Sequence, residues 1–346
     1  MSISLSEPIK LGMATAWRTY TGGSRIRELH GEKGTPDNNF PEEWIMSTVR
    51  ARNSGREDIV EGISMIEGEN ISLLELIESD PERALGKEHY QRYGTNLGVL
   101  VKIIDSAERL TVQVHPTRKK AKELFNSEFG KTECWHILGG REIDGEAPCI
   151  YFGFKEGVTR ETWKECFDRQ DIPAMLDCLH KFAVKPGDTF LIEGGIPHAI
   201  GAGCFLVEIQ EPTDYTVRTE RTTPKGLAVA DFMCHQGLGF ERMFDCFEYE
   251  GYSAEAVEAR WNIKRRGDVI IDEGSTEMFG LHMKDIDGEE YIPTGSVFSG
   301  IYILEGEGKL AGKAVARGDQ FFIPADCRGF NIEGKLKLIQ YFGPKK

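Results

Sequence analysis

Alternation of polar and apolar residues is clearest between residues 110 and 116, where Thr111, Gln113 and His115 alternate with valines. Side chains of a β-strand point to opposite faces with a period of two residues. The pattern therefore predicts a strand with one apolar face and one polar face. A buried strand usually turns aliphatic residues inward, so a face carrying a hydroxyl, an amide and an imidazole marks a site of interest.

Two later segments carry polar residues in comparable positions. In residues 131–136, Lys131, Glu133 and Trp135 share one face of a predicted strand. In residues 194–200, His198 follows a glycine-rich loop and a proline. If these two segments converge on the strand at 110–116, their polar side chains come together.

Helical spacing replaces alternation in two regions of the N-terminal half. Near residue 72, Ser72 is followed by apolar residues at helical spacing, and Glu75 completes a capping box. Residues 159–179 predict a further helix that begins at Thr159. We expect both regions, about 72–92 and 159–179, to be helical insertions in a β-rich fold.

The second half of the chain contains a weak internal repeat. Residues 184–192 resemble residues 315–323, each a Gly-Asp turn that leads into an apolar strand. Short strands separated by glycine-rich turns occur in both copies of this repeat. This pattern predicts a mainly β fold with two small barrels. We place the domains at residues 1–250, with the helical insertions, and 251–346. In this alignment His198 lies opposite Gly329, so the second barrel is expected to lack the metal ligands.

Composition restricts the class of partner. The formal net charge is −14, which argues against a nucleic-acid or membrane-surface partner, because both require a basic face. A small anion stays possible, because a few local cations suffice to bind it. The chain has no 18-residue apolar run and no signal-peptide pattern at its start. Eight scattered cysteines without a CxxC pair indicate reduced thiols and a cytoplasmic location, with a disulfide framework or a zinc-cysteine site as the weaker alternative.

Four of the polar residues form a candidate metal site. Gln113, His115, Glu133 and His198 offer an amide oxygen, a carboxylate and two imidazoles, a set that suits one Zn²⁺ or a similar divalent ion. Each residue alone is weak evidence, since histidines in strands are usually structural. Because glutamine is a weak ligand, a water or substrate oxygen could join the set, as a catalytic site requires.

Cations follow these residues closely in the sequence. Lys131, Arg218 and Lys225 would form an anion pocket beside the metal, whereas Arg221 is better interpreted as a solvated charge. Lys102 lies within an apolar strand, and two interpretations are equally supported. Its amine either reaches solvent from the strand end or points into the site.

The segments 111–116, 130–135, 197–203 and 208–218 resemble the type I phosphomannose isomerases of the cupin superfamily. The resemblance covers most of residues 10–240 and implies two cupin-type, jelly-roll barrels. It also implies that Gln113, His115, Glu133 and His198 are zinc ligands.

The resemblance assigns further roles in the site. Arg218 matches a catalytic arginine, and Lys131 and Lys225 match basic residues around the substrate. Thr111 occupies the position of a serine. We add Lys131 to the catalytic residues, and Lys102 and Glu208 to the substrate-binding residues. The chain departs from the family at residues 210–215 and at Thr21-Gly22-Gly23, where the family has tryptophan-glycine-glycine.

The expected activity is the zinc-dependent interconversion of mannose 6-phosphate and fructose 6-phosphate through an enediol. Lys131, Lys102, Glu208 or a metal-bound water could move the proton, since a base is identified by geometry first. A non-catalytic sugar-binding or sugar-phosphate-binding cupin, an isomerase of a related sugar phosphate and a metal-dependent oxygenase are the alternatives. Retention of all four ligands and the arginine favours the enzyme, as a monomer or homodimer.

Overall fold

Residues 3–344 are described by the structure, a computed structural model, and most of their regular structure is β-strand. The strands are β1 (Ile9–Leu11), β2 (Thr15–Ala16), β3 (Glu42–Ile45), β4 (Leu100–Asp105), β5 (Gln113–Val114), β6 (Glu133–Gly140), β7 (Cys149–Phe154), β8 (Leu179–Ala183), β9 (Thr189–Ile192), β10 (His198–Ile200), β11 (Cys204–Gln210), β12 (Val217–Arg218), β13 (Val269–Ile271), β14 (Gly280–Pro293), β15 (Ser299–Leu310), β16 (Lys313–Ala316), β17 (Gln320–Ile323) and β18 (Gly329–Phe342). The mainly β fold is therefore confirmed.

Helices connect and cover the strands. They are α1 (Ser24–Leu29), α2 (Leu73–Ser79), α3 (Pro81–Leu85), α4 (Lys87–Tyr93), α5 (Arg118–Phe125), α6 (Arg160–Arg169), α7 (Ile172–Asp177), α8 (Asp231–His235) and α9 (Ala254–Trp261), with a 3₁₀ helix at Arg242–Cys246. The region predicted as one helix over 159–179 is two helices. The break follows from the left-handed backbone of Gln170 and from Pro173 in the first turn of α7. None of the helices in the described range is long and apolar enough to cross a membrane.

The strands of residues 3–344 form three sheets. One sheet has the order β2-β3-β4-β11-β6-β9, and a second has the order β12-β5-β10-β7-β8. Both are built from the first two-thirds of the chain. The third has the order β1-β17-β15-β18-β14-β13, with β16 on β15, and we call it the C-terminal sheet. Its edge strand β1 comes from the start of the chain, while the domain boundary at residue 250 stays a prediction.

The internal repeat is confirmed by two matching turns. Gly187 and Gly318 both have φ of 93°, a conformation that glycine adopts without strain. In each turn the following aspartate accepts a backbone N–H three residues earlier, at 2.9 Å for both Asp188 and Asp319. The strands β9 and β17 follow directly. The same local chemistry therefore starts the corresponding strand in both halves.

Apolar clusters lie behind the sheets. Val112 and Val114 enter a cluster with Trp163 and Phe244, which packs the five-stranded sheet against α6 and the 3₁₀ helix. The long strands β14, β15 and β18 enclose a separate cluster within the C-terminal sheet. All eight cysteines are free thiols, as the reduced interpretation predicts, and Cys204 and Cys246 are among the buried ones.

The capping box at Ser72 gives a stability prediction. The Ser72 hydroxyl accepts the backbone N–H of Glu75, whose carboxylate accepts the N–H of Ser72 in return. Ser72→Ala should lower the free energy of unfolding by about 1 kcal/mol, the usual value of an N-cap. Urea unfolding at equilibrium measures the change. Glu78→Ala, on the exposed side of α2, is the control and should leave stability within about 0.5 kcal/mol. An equal loss in both variants would contradict the capping argument.

Candidate active site

Strand pairing places Gln113 at the centre of a polar row. In the antiparallel register, Gln113 on β5 lies opposite His198 on β10 and opposite Arg218 on β12. Directly opposite residues on neighbouring strands project from the same face. The alternate residues of β5 point into the apolar cluster behind it, which fixes this orientation. The sequence segments around residues 113, 198 and 218 therefore meet, as predicted.

Three buried side chains bring their ligand atoms together. His115 Nε2 lies 3.2 Å from His198 Nε2 and 3.2 Å from Glu133 Oε2. Glu133 Oε1 lies 3.5 Å from His198 Nε2. Four ligands at about 2.0–2.1 Å around a tetrahedral Zn²⁺ would lie about 3.3 Å apart. The observed separations match that spacing without any rearrangement of the backbone.

The fourth predicted ligand borders the same three residues. The side-chain amide nitrogen of Gln113 lies 3.4 Å from His198 Nε2. Rotation of this amide by half a turn places its oxygen where the nitrogen lies. Gln113 can therefore present its oxygen where the other ligand atoms converge.

Hydrogen bonds fix the tautomer of both imidazoles. His115 Nδ1 donates to the carbonyl of Tyr215, and His198 Nδ1 donates to the carbonyl of Ile196, both at 2.9 Å. Because a carbonyl only accepts, each neutral ring has its lone pair on Nε2. Both carboxylate oxygens of Glu133 are buried without a well-aligned hydrogen-bond donor. The two Nε2 lone pairs and the unbonded carboxylate oxygens of Glu133 thus converge, and a divalent cation fits this arrangement.

Electrostatics keep the three groups in the protonation state that a metal requires. Burial, and secondarily the Lys131 ammonium, lowers the pKa of His115 to about 4, and burial lowers that of His198. Burial would raise the pKa of Glu133, but Lys131 and the imidazoles outweigh it and hold that pKa well below its usual range. At neutral pH the site therefore holds two neutral imidazoles and a carboxylate, ready to bind metal.

Lys131 lies directly against the ligand set. Its ammonium is 3.0 Å from His115 Nε2 and 3.4 Å from Glu133 Oε2, and the side chain is buried. The ammonium therefore supplies positive charge to the same lone pairs. Lys131 also lines the adjoining pocket, as the sequence predicts.

A row of side chains crosses four strands beside the pocket, and its central members Lys102 and Glu208 line the pocket. The register places Trp44 on β3 opposite Lys102 on β4, then Glu208 on β11 and Trp135 on β6. Lys102 Nζ donates to Glu208 Oε1 at 2.8 Å, and Trp135 Nε1 donates to Glu208 Oε2 at 3.0 Å. The Lys102 amine thus points into the site rather than to solvent.

The pocket collects most of the predicted substrate residues. Its lining residues are Arg18, Thr19, Tyr20, Glu42, Lys102, Ile104, Arg109, Leu110, Thr111, Gln113, Lys131, Glu208, Asp214, Thr216, Arg218, Thr223 and Pro224. Arg218 is anchored there because its Nη1 donates to the carbonyls of Thr216 and Met233.

Two predicted cations lie outside the pocket wall. Lys225 is largely exposed, with its Nζ 2.6 Å from the Thr21 hydroxyl and 3.7 Å from Glu108. Arg221 pairs with Asp231 on the surface, as the solvated interpretation expects. The substrate role of Lys225 stays a prediction.

The sequence did not predict several of the pocket residues. Glu42 is the one to which two others, Arg18 and Tyr20, bind. It accepts hydrogen bonds from Arg18 Nε at 2.9 Å, Tyr20 Oη at 2.8 Å and Trp44 Nε1 at 2.8 Å. Asp214 adds a half-buried carboxylate among the cations. The only sequence signal was the alternation of Glu42 with Trp44, which resembles an ordinary strand start.

Family models match two parts of the chain. The model described as the catalytic domain of type I phosphomannose isomerase matches residues 21–131. The model described as the cupin domain of mannose-6-phosphate isomerase matches residues 273–342.

Individual proteins match over most of the chain. A mannose-6-phosphate isomerase of Streptococcus mutans is 26% identical over 346 residues, covering 97% of this chain and 98% of that protein. Mannose-6-phosphate isomerase ManA of Bacillus subtilis is 26% identical and covers 72% of this chain and 76% of that protein.

The fold is also similar to solved structures. The crystal structure of a mannose 6-phosphate isomerase from Bacillus subtilis aligns with a TM-score of 0.72 at 22% identity, covering 97% of this chain and 99% of that one. A mannose 6-phosphate isomerase bound with zinc and yttrium aligns with a TM-score of 0.71 at 16% identity, covering 98% and 100%.

Proposed function

The chain belongs to the type I phosphomannose isomerases, with a cupin domain at its C-terminal end, and we propose that it interconverts mannose 6-phosphate and fructose 6-phosphate. The observation that carries this proposal is the convergence of buried ligand atoms of His115, Glu133 and His198, with both Glu133 oxygens unsatisfied, beside a pocket rich in cations. A sugar-binding protein needs the cations but not the lone pairs.

We propose Zn²⁺ as the bound ion, held by Gln113, His115, Glu133 and His198. The donor set suits zinc, and a structural relative was solved with zinc bound. When bound, the ion would act as a Lewis acid toward substrate oxygens, worth several kcal/mol of charge stabilisation.

Arg218 is proposed to stabilise the negative charge that develops on a substrate oxygen in the enediol. Its guanidinium stays charged at every relevant pH. The two backbone carbonyls that bind Nη1 hold it in place before substrate arrives, and preorganised charge costs no rearrangement during the reaction. Thr111 borders it as a hydroxyl that can contact the sugar.

An aldose–ketose isomerase takes a proton from C2 and returns it at C1, which requires a base in the pocket. Burial would lower the pKa of Lys102, but the carboxylates of Glu208 and Glu42 outweigh it and raise that pKa. Lys102 therefore stays an ammonium, suited to binding a substrate oxygen. Lys131 is buried, lines the same pocket and lies 3.0 Å from His115 Nε2, directly beside the ligand set. We assign proton transfer to Lys131.

Lys131→Met tests this assignment. Loss of a general base should lower kcat by about 10²- to 10⁴-fold, with KM changed much less. Metal analysis of the purified variant should give the wild-type content, since lysine is not a ligand. Lys119→Met, on the exposed side of α5, is the matched control and should keep wild-type turnover. Wild-type turnover in Lys131→Met would overturn the assignment.

A conversion assay tests the function itself. The purified protein, reconstituted with Zn²⁺, should convert fructose 6-phosphate to mannose 6-phosphate and the reverse. Glucose 6-phosphate and a pentose phosphate serve as alternative substrates in the same assay. Binding of fructose 6-phosphate without turnover would instead indicate a sugar-phosphate-binding cupin. Light scattering of the same sample distinguishes a monomer from a homodimer.

A further inference from the structure

The C-terminal sheet contacts the back of the strand that forms one wall of the pocket. We propose that Tyr302 and Gln320, on β15 and β17 of this sheet, are positioning residues that hold β3 and thereby place Glu42 in the pocket. The kinetic part of its test rests on the proposed function, because Glu42 affects the reaction only through Arg18 and Lys102. The contacts themselves are independent of the substrate.

Strand β3 connects the pocket with the C-terminal sheet because its side chains alternate. Glu42 and Trp44 project toward the pocket, whereas Glu43 projects to the opposite face. Glu42 and Glu43 are consecutive residues of a paired strand. A displacement that moves one therefore moves the other.

Glu43 is fully buried and receives donors from the C-terminal sheet. Tyr302 Oη donates to Glu43 Oε2 at 2.8 Å, and Gln320 Nε2 donates to Glu43 Oε1 at 3.3 Å. Tyr302 and Gln320 are directly opposite each other on β15 and β17. His30, at the end of α1, completes the set with its Nε2 2.8 Å from Glu43 Oε2. A buried carboxylate is stable only with such donors, so these contacts specify its position.

Gln320 also holds the residue that follows β3. Its Oε1 accepts the backbone N–H of Met46 at 3.0 Å, while its Nε2 donates to the carbonyl of Gly12 as well as to Glu43. Met46 has φ of 49°, a left-handed conformation that is unfavourable for a residue with a Cβ. The Gln320 amide thus contacts β3 at Glu43 and the residue that follows the strand, Met46. The hydrogen bond to Met46 stabilises its unfavourable backbone conformation.

On the pocket side, Glu42 controls two cations. It binds Arg18 Nε at 2.9 Å and lies 3.9 Å from Lys102 Nζ. Its second oxygen accepts the indole N–H of Trp44 at 2.8 Å. If β3 relaxed, the carboxylate would withdraw from Lys102, and the indole hydrogen bond would change with it. Misplacement by about 1 Å at an active site can cost about 10²-fold in rate.

Other contacts of the C-terminal sheet do not touch β3 and provide controls. Asp326 pairs with Arg83 of α3 at 2.8 Å. Arg317 donates to the carbonyls of Glu28 and Leu29 at the end of α1. Asp326→Asn therefore weakens the association of the same sheet without removing a hydrogen bond to Glu43 or Met46.

The experiment compares Tyr302→Phe and Gln320→Met with Asp326→Asn in the full-length chain. The first readout is the Trp44 indole signal in a ¹H–¹⁵N spectrum, assigned with Trp44→Phe. We expect it to move in Tyr302→Phe and Gln320→Met and to stay in place in Asp326→Asn. The indole of Trp163, in the apolar cluster behind the five-stranded sheet, is the internal reference and should not move.

The second readout is kinetic and is made on protein reconstituted with Zn²⁺. We expect kcat to fall about ten-fold in Gln320→Met, with unchanged metal content, and to keep its wild-type value in Asp326→Asn. A second variant of the carboxylate separates positioning from stability, since Glu43→Gln keeps one acceptor oxygen and should retain more activity than Glu43→Met, which keeps none. An unmoved Trp44 signal in both test variants would overturn the proposal, whether or not the chain proves to be an isomerase. A loss of kcat in Asp326→Asn equal to that in Gln320→Met would also overturn it.

Discussion

His198→Ala should abolish isomerase activity and remove most of the bound zinc. His198 is fully buried, and its Nε2 lies within 3.5 Å of both other ligand side chains of the cluster. When His198 is replaced by alanine, none of the other side chains described in the cluster supplies the ligand nitrogen that is lost. The wild-type protein treated with a chelator should lose activity in the same way and regain it with Zn²⁺, whereas His198→Ala should not recover at the same zinc concentration.

Thermal unfolding gives a readout of this site that does not depend on activity. A ligand present at 1,000 times its Kd stabilises the folded state by about 4 kcal/mol. Zinc should therefore raise the midpoint of the metal-free wild type and leave that of His198→Ala unchanged. His180→Ala, on β8 and separated from His198 by Phe152 of β7, is the control and should still respond to zinc. If His198→Ala binds zinc like the wild type, the ligand assignment is wrong.

Arg218→Ala should lower kcat by about 10²- to 10³-fold, the usual cost of removing one preorganised donor from a developing oxyanion. Metal content should stay at the wild-type value, because Arg218 offers no lone pair. The fold should also persist, because only one end of the guanidinium contacts the backbone and β12 keeps its own pairing with β5.

Two further arginine variants sharpen this test. Arg218→Lys keeps the charge but loses the planar fork that binds two acceptors at once, so it should recover only part of the rate. Arg221→Ala, three residues along and paired with Asp231 on the surface, should keep wild-type kcat. Steady-state kinetics with fructose 6-phosphate measure all three. Full activity in Arg218→Ala would remove the arginine from the mechanism.

The sequence predicted the candidate metal site because its residues violate a local rule. Gln113 and His115 occupy one face of an alternating stretch, and Glu133 begins another, so each is a polar residue in a position where an apolar one was expected. Such violations are visible without any knowledge of the neighbouring strands. The turn repeat at Gly187 and Gly318 was predictable for the same reason, since its geometry depends on four consecutive residues.

The residues missed from the sequence depend on which strands are neighbours. Glu42 enters the pocket because β3 pairs with β4 in a register that sets Trp44 beside Lys102. A glutamate before an apolar run is normally a solvated charge, and nothing within the segment distinguishes it. Arg18 lines the same pocket and donates to Glu42 there. Lys225 is the opposite case. Its position in the chain suggested that it lines the pocket, whereas its ammonium contacts the Thr21 hydroxyl outside the pocket lining.

The pairing of β1 with β17 constrains the order of assembly during synthesis. Ile9 lies opposite Phe322, so β1 cannot pair until β17, more than 300 residues later in the chain, has been synthesised. At about 5–20 residues per second, a ribosome needs roughly 15–60 s to deliver that partner. During this time Ile9 and Leu11, both buried in the finished fold, have no sheet to join. Closure of this edge is therefore expected to be a late event on the ribosome.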